Sequence, residues 1–242
     1  MRIKIDQVDL KTNETVQQEL LLDNDRLRVN MPKTGNSVLF LTDGGRNRLV
    51  ILDTTKNEYR ELDQQAINQL SQQLQGAMAA LQNLPPEQRA RIEQMMRGRG
   101  LPGQPAPAAK TVYTAQGSGS VNGFNCTKYE GMQGSQKVAE VCASKPADLH
   151  FSASDFQVFE KMREFASSLT SGLANSPLAN TRLSDITGPG FEGFPVQRIA
   201  YSGGQATNKT EVKSIDRASF SDADFSVGSA KKVDLPFGRG RQ

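Results

Sequence analysis

The sequence predicts an α+β fold in which about three helices pack on the concave face of a curved antiparallel β-sheet. Short apolar runs separated by turn residues recur along most of the chain, a pattern typical of antiparallel strands. Three other stretches carry apolar residues at helical spacing on an otherwise polar background. Because nothing in the 242 residues requires a second core, we expect residues 1–242 to form a single domain.

Residues 2–62 are predicted to form an antiparallel meander. Its apolar runs include residues 3–8, 20–22, 38–41 and 49–52. The intervening segments KTNET, PKTGN, DGGRN and DTTKN each contain the Gly, Asn, Asp or Pro that a chain reversal favours. Successive strands joined by such short turns are expected to pair with their neighbours in order.

A helical excursion is predicted over residues 63–98. Asp63 can cap its first helix, and Pro85 and Pro86 end that helix and begin a second one, which ends at Gly98. The first helix carries an apolar stripe made up of Ile67, Leu70, Leu74, Ala77, Met78 and Leu81.

Residues 97–109, RGRGLPGQPAPAA, are predicted to form a flexible linker. They have no apolar periodicity and are rich in Pro, Gly and Ala. Strands are expected to resume over residues 110–116, 120–130 and 136–143.

The third predicted helix begins at Ser154 and ends at Gly172. Ser154 can cap it, with Gln157 completing a capping box, and Gly172 is a suitable terminator. Its apolar stripe consists of Phe156, Phe159, Met162, Phe165, Ala166 and Leu169.

The remainder of the chain is predicted to be a loop, a hairpin and closing strands. Residues 174–193 have the composition of a loop, and the hairpin pairs FPVQRIAYS with TEVKSIDRASF around GGQATN. Asp222 and Asp224 are expected on the exposed face of a following strand. Residues 237–242 are expected to form a disordered tail.

The two cysteines carry the compartment prediction. Cys126 and Cys142 lie at equal distances from Gly134, and if Gly134 is the tip of a hairpin they face each other across two strands. A disulfide there indicates an oxidising compartment, so we expect a periplasmic or secreted protein whose leader was removed. The alternative is a pair of buried free cysteines in a cytosolic protein.

Composition argues against nucleic acid and membrane-spanning classes. The chain has 29 Lys and Arg against 26 Asp and Glu, and it has four Tyr and no Trp. It therefore lacks both the concentrated positive charge and the stacking surfaces of a nucleic-acid binder. No apolar run approaches the roughly 20 residues that a transmembrane helix needs.

No catalytic or metal-binding pattern is recognisable. His150 is the only histidine, and no GxSxG or GxxxxGK[ST] sequence occurs, so we interpret His150 as a structural residue at a strand-to-helix junction rather than a base. Cys126, Cys142 and His150 are too few for a tetrahedral zinc site, and the cysteines lack CxxC spacing. We predict no catalytic residue, no metal and no cofactor.

The helical stripes suggest an apolar binding site instead. A large sheet partly covered by helices can leave a hollow between the layers, where flexible Met side chains adapt to a ligand. The residues expected to contact such a ligand are Leu70, Leu74, Met78, Phe159 and Met162. The same stripes are equally explained by a solid core, and both interpretations stay open.

The order of these elements resembles a known bacterial family. The phrases DRLRVNMP, LVILDTTKNEYREL, GFNCTKYEG with AEVCAS, and the closing ASFSDADFSVGSAKKVDLP resemble an uncharacterised family of exported proteins. That family is similar to the LolA/LolB-like lipoprotein carriers. The resemblance implies a half-open antiparallel barrel with helices over its concave face, and a role in binding apolar groups such as acyl chains.

The leading hypothesis is therefore an exported, non-enzymatic binding protein for an acyl chain, a lipid or a lipoprotein. The alternative is a structural or protein-interaction module of the cell envelope, with a solid core and no small ligand. Neither hypothesis involves nucleic acid.

Overall fold

A single twelve-stranded β-sheet organises the chain. The computed structural model describes residues 1–69, 111–172 and 190–234, together with Gln72, Gly76, Pro85, Glu87 and Gln88. In chain order the strands are β1 (Arg2–Asp9), β2 (Glu14–Asp23), β3 (Arg26–Met31), β4 (Asn36–Asp43), β5 (Arg46–Asp53), β6 (Glu58–Asp63), β7 (Val112–Val121), β8 (Phe124–Gln133), β9 (Gln136–Ser144), β10 (Phe194–Ser202), β11 (Gln205–Asp216) and β12 (Lys231–Lys232).

The sheet is built from two meanders. Its strand order is β12-β6-β5-β4-β3-β2-β1-β11-β10-β9-β8-β7, so the first meander runs through β1 to β6 and the second through β7 to β11. Strands β1 and β11 pair and join the two. Among the described strands, all pairs are antiparallel except β12 with β6, which is parallel. The meander predicted over residues 2–62 is confirmed.

The predicted α+β fold with about three helices on a half-open barrel is wrong. The structure is mostly β, with an open sheet that ends at β12 on one side and β7 on the other. Within the described residues, α-helix occurs at α1 (residues 64–69), at α2 (Ala153–Gly172) and at the separate positions Gln72, Gly76, Glu87 and Gln88. Helical periodicity located α2 correctly. The fraction of residues in the β-sheet, however, depends on pairing between distant strands, which periodicity in the sequence does not show.

The N-terminal cap of helix α2 lies two residues earlier than predicted. Ser152, not Ser154, forms the capping box: the Asp155 amide donates to Ser152 Oγ at 3.2 Å, and the Ser152 amide donates to Asp155 Oδ2 at 2.8 Å. The described part of α2 runs to Gly172, and the predicted end there stays a prediction, because the residues that follow lie outside the described structure. Val158, which the predicted stripe omitted, is fully buried at the centre of the buried face.

One face of the sheet packs against the helices. The core on this face, called the helix-side core, joins strands of both meanders to α1 and α2. Its buried residues are Met1, Ile3, Leu20, Leu22, Leu27, Phe40, Ile67, Cys126, Cys142, Leu149, Phe151, Val158, Phe165, Phe194, Val196 and Val212.

The opposite face of the first meander is covered by residues 217–233, which we call the C-terminal strap. Phe225 of the strap is buried against Leu21, Leu39, Leu41, Val50 and Leu52, which form the strap-side core. Since alternate residues of a strand point to opposite faces, Leu20 and Leu22 enter the helix-side core while Leu21 enters the strap-side core. Burial on both faces explains why the runs at 20–22 and 38–41 are continuously apolar.

Main-chain hydrogen bonds fix the strap. The guanidinium of Arg28 donates to the Asp224 carbonyl at 2.9 Å, and the amide of Val233 donates to the Tyr59 carbonyl at 2.9 Å. The strand predicted through Asp222 and Asp224 is wrong, because Asp222–Phe225 is a short 3₁₀ helix. Asp224 caps this helix by accepting from the Ser221 amide at 2.7 Å.

The predicted disulfide joins Cys126 on β8 to Cys142 on β9, with their Cα atoms 5.4 Å apart. Gly134 lies in the intervening turn with φ 61°. The turn is centred between Gly134 and Ser135, since Gln133 pairs with Gln136, and a bulge near Gly131 shifts the register by one further residue, so that Lys128, not Cys126, lies opposite Cys142. The disulfide is therefore diagonal rather than directly across the hairpin.

The sheet bends sharply at its β7 end. Asn122, in the turn between β7 and β8, donates from Nδ2 to the Val212 carbonyl of β11 at 2.6 Å. Strands β9 and β10 lie between β8 and β11, so a flat sheet would hold this turn roughly 14 Å from β11, at about 4.8 Å a strand. The tip of the β7–β8 hairpin therefore leans over the helix-side face, where Val121 and Phe124 pack against the core.

Several sequence predictions fall outside the described residues. These are the linker at 97–109, the tail at 237–242, and most of the excursion at 63–98 and of the loop at 174–193.

Candidate functional site

A cleft of about 830 Å³ opens where β6 leads into α1. It is bounded by the β4–β5 turn, the end of β6, the start of α1 and the second half of α2. Its volume is within the range of small-molecule sites. The described residues that line it are Asp43, Gly45, Arg46, Asn47, Arg48, Glu61, Asp63, Gln64, Gln65, Glu164, Phe165 and Ser168.

The local sequence explains why the cleft forms there. Asp63 ends β6 and caps α1, accepting from the Ala66 amide at 2.7 Å, as predicted. Gly44 and Gly45 have φ of 54° and 82°, which allows the tight turn between β4 and β5. Ser168 Oγ of α2 donates to Gln64 Oε1 of α1 at 3.2 Å, so the two helices are tied together beside the cleft.

The interior of the cleft is apolar on one side. Phe165 of α2 lines it, is 5 % exposed, and packs against Phe40 of β4 with ring centroids 5.8 Å apart. Both rings belong to the helix-side core, together with Ile67 of α1. The cleft thus reaches the layer between the sheet and the helices.

The rim of the cleft is charged. Glu61 is paired with Lys232 at 3.2 Å and lies 3.9 Å from Arg48. Arg46 and Glu164 are exposed, and neither forms an ion pair with another described residue. A ligand that enters this cleft meets an exposed guanidinium before it reaches Phe165.

The residues predicted to bind a ligand are only partly covered by the described structure. Leu70, Leu74 and Met78 lie outside the described residues, although they directly follow α1 in the chain. Phe159 and Met162 are half-buried against the helix-side core, and the Phe159 ring lies 5.5 Å from that of Phe194. Neither of these two is among the described residues that line the cleft.

The charged rim was missed by sequence analysis. Arg46 and Arg48 follow the DGG turn, and Glu61 precedes the Asp63 cap, so local sequence places each at a strand end. Their convergence depends on β5 pairing with β6, in which Arg48 lies opposite Asp63. The only local signal was charge at a strand-to-helix junction.

A second polar cluster lies at the bend of the sheet, around Glu211 of β11. Glu211 as a whole is 7 % exposed, and its carboxylate accepts from Lys213 Nζ at 2.8 Å, Lys209 Nζ at 2.9 Å and Asn122 Nδ2 at 2.9 Å. Burial raises the pKa of Glu211, but these hydrogen bonds outweigh it and hold the pKa at about 2. Because each of these partners donates to the carboxylate, the cluster serves to fix the bend rather than to accept a proton.

His150 has a backbone role. It ends the 3₁₀ helix Pro146–Leu149 with a left-handed φ of 57°, and its carbonyl accepts from Arg217 Nη2 at 2.9 Å. The side chain is exposed. The interpretation of His150 as a junction residue fits this geometry.

Metal-binding clusters and membrane-spanning helices are both absent from the described part of the chain. No group of three or more His, Cys, Asp and Glu side chains there has an arrangement that would hold a metal ion. No helix in that part is long and apolar enough to cross a membrane.

Comparison with known proteins gives a family but no activity. The family model described as "Domain of unknown function (DUF4412)" matches residues 102–230, from the segment before β7 to the strap. The search of curated proteins gave no match. A solved structure, of an uncharacterized conserved protein from Thermus thermophilus, is similar with 9 % identity and a TM-score of 0.47, over 97 % of this chain and 89 % of its own.

Proposed function

The chain belongs to the family described as a domain of unknown function, DUF4412, and we propose that it is an exported, non-enzymatic protein that binds an apolar ligand between its sheet and its helices. The observation that carries the proposal is the cleft at the junction of β6, α1 and α2. Its volume suits a ligand, and one of its walls is Phe165 of the helix-side core.

The chemistry of the cleft favours an amphiphile with an acidic head group. Arg46 is exposed at the rim and has no carboxylate partner among the described residues, so its guanidinium is available to a ligand carboxylate. Phe165 offers an apolar surface further in. A fatty acid or an acylated lipid combines both features.

Export is supported by the disulfide. The Cys126–Cys142 bridge is compatible with an oxidising compartment, because thiols of the cytosol are kept reduced. Both sulfur-bearing residues are buried in the helix-side core, so the bridge lies within the packed fold. A periplasmic or secreted carrier of acyl groups fits this setting.

Titration with a fluorescently labelled fatty acid tests the proposal. We expect saturable binding that is displaced by unlabelled fatty acids, with affinity rising about fourfold for each added methylene, since burying one contributes about 0.8 kcal/mol. Arg46→Ala is expected to weaken binding several-fold by removing the partner of the carboxylate. Leu74→Lys is expected to weaken it as well, because the sequence predicts that Leu74 contacts the ligand.

The matched control is Lys11→Ala, which removes one positive charge from the exposed β1–β2 turn. It should bind as the unaltered protein does. The proposal is contradicted if no fatty acid binds. It is also contradicted if the affinity does not depend on chain length and Arg46→Ala and Lys11→Ala change it equally.

A second candidate function is an interaction module of the cell envelope. It is favoured by the dense aromatic packing of the described helix-side core, where Phe151 and Phe159 both contact Phe194 at centroid distances of 5.2 and 5.5 Å. If no fatty acid binds, this candidate remains, and its partner would be another protein.

A further inference from the structure

We propose that the cleft prefers an amphiphile whose head group carries an ammonium group as well as an anion, and that Glu164 is the residue that sets this preference. The preference presupposes the proposed function, because it concerns the ligand of the same cleft. The observation that carries it is an excess of carboxylates over guanidiniums in the described lining of the cleft.

The charged side chains of the described lining are of both signs. The acidic residues are Asp43, Glu61, Asp63 and Glu164, and the basic residues are Arg46 and Arg48. Lys232 adds a cation beside Glu61 without reversing the balance. A head group that carries only a negative charge therefore meets net repulsion at this rim.

Some of these charges are already held by the protein. Glu61 lies 3.2 Å from Lys232 and 3.9 Å from Arg48. Asp63 accepts from the Ala66 amide at 2.7 Å as the cap of α1, and it lies opposite Arg48 in the pairing of β5 with β6. These groups fix the strap and the start of α1, so the charges that remain for a ligand lie elsewhere on the rim.

The remaining acidic and basic groups border the cleft from different elements. Glu164 lies on α2 one turn before Ser168, whose Oγ donates to Gln64 Oε1 at 3.2 Å, so the carboxylate borders the cleft beside the start of α1. Arg46 begins β5, next to the β4–β5 turn. Both side chains are exposed, and neither forms an ion pair with another described residue. The rim thus offers one carboxylate and one guanidinium to a ligand.

A zwitterionic head group pairs with both of them. A phosphate accepts from the Arg46 guanidinium, an ammonium group donates to the Glu164 carboxylate, and both hydrogen bonds are charge-assisted. A purely anionic head group leaves Glu164 unpaired and is repelled by it and by Asp43, which lies opposite Arg46 in the pairing of β4 with β5. A glycerophosphoethanolamine carries the two charges on a short flexible link, and its acyl chain can reach Phe165, the residue that follows Glu164.

Two lysolipids with the same acyl chain and the same phosphodiester test the preference. Hexadecanoyl lysophosphatidylethanolamine has an ammonium group where hexadecanoyl lysophosphatidylglycerol has hydroxyls. In displacement of the labelled fatty acid, below the critical micelle concentrations, we expect the ethanolamine lipid to bind about fivefold tighter. Glu164→Gln should bring the two affinities within about twofold, by weakening the ethanolamine lipid and strengthening the glycerol lipid.

Two further variants make the test specific for the Glu164 carboxylate. Glu164→Asp keeps the charge and should keep most of the preference. Glu192→Gln is the matched control, because it makes the same change at an exposed position before β10 that does not line the cleft, and it should keep the whole preference.

The outcomes separate this preference from fatty-acid binding itself. Equal affinities for the two lysolipids, a preference that Glu164→Gln leaves unchanged, or lysolipids that do not displace the labelled fatty acid would overturn the role of Glu164 and leave the proposed function standing. If the labelled fatty acid does not bind either, both the proposed function and this preference are wrong.

Discussion

Removing the buried charge of Glu211 should destabilise the protein in a pH-dependent way. The carboxylate lies at the bend of the sheet, where Lys209 and Lys213 of β11 and Asn122 of the β7–β8 turn all donate to it. In the Glu211→Gln variant the two lysines lose their acceptor charge, and the tie between the hairpin tip and β11 weakens. The variant should fold, since glutamine keeps the size of the side chain and can still accept from Asn122.

The magnitude follows from the pKa. A carboxyl whose pKa falls from the ordinary 4.5 to about 2 on folding contributes about 3 kcal/mol of stability at neutral pH. Lys209 and Lys213 are partly exposed and regain water when the charge is removed, so we expect Glu211→Gln to cost about 1–3 kcal/mol.

The sign of the pH dependence is fixed by the direction of the shift. Because folding lowers the pKa of Glu211, its contribution is complete above about pH 4.5 and is lost as the pH falls towards 2. The stability difference between the unaltered protein and Glu211→Gln should therefore shrink by about 2 kcal/mol between pH 6 and pH 3.

Urea unfolding at a series of pH values measures this difference. Asp43→Asn serves as the control, since Asp43 is an exposed carboxylate in the β4–β5 turn, and its substitution should leave the stability unchanged within about 0.5 kcal/mol. A Glu211→Gln effect that is the same at pH 6 and pH 3 would show that the ionised form of Glu211 contributes nothing to stability.

Two further predictions concern the disulfide and the histidine. Cys126 and Cys142 are 16 residues apart in sequence, so reduction of their disulfide should lower the free energy of unfolding by about 3 kcal/mol. Peptide mapping without reductant should recover the two cysteines in one cross-linked peptide pair. Free thiols in protein from an oxidising compartment would remove the argument for export. His150→Gln should leave fatty-acid binding unchanged within error, because the contact of this residue with Arg217 uses the backbone carbonyl of His150. A loss of binding in this variant would show that the His150 side chain has a role.

The sequence was most informative where structure is local. Turn residues and apolar runs placed β1 to β6 in order, and the spacing of Cys126 and Cys142 about Gly134 predicted the disulfide. The apolar spacing over residues 156–169 also located α2, which is described over Ala153–Gly172. Each of these signals lies within a few tens of residues of the feature that it predicts.

The sequence was least informative about long-range packing. The continuous run Leu20–Leu22 was visible in the sequence. Which face of it meets the helices and which meets the strap depends on residues that lie from about 45 to about 200 positions away, such as Ile67 and Phe225. The strap itself was mistaken for strand, since SDADFSV alternates, whereas Asp222–Phe225 forms a 3₁₀ helix stabilised by Ser221 and by Arg28 of β3. The fold class was also predicted wrongly, because local helical patterns do not show how many distant strands pair into one sheet.

The candidate site was predictable only in outline. The layer between sheet and helices was expected to hold a ligand, and the cleft reaches that layer at Phe165. Its charged rim was not expected, because Arg46 and Glu164 line the same cleft only through the packing of α2 beside α1, which joins residues about 100 positions apart. No spacing in the sequence relates these two residues.

Native mass spectrometry of the protein, purified without detergent and then mixed with hexadecanoic acid, shows whether the chain binds a fatty acid. We expect one bound fatty acid per chain, with occupancy reduced in Arg46→Ala and unchanged in Lys11→Ala. The expectation is contradicted if the spectrum shows only the unliganded chain at a fatty-acid concentration that saturates a known fatty-acid carrier.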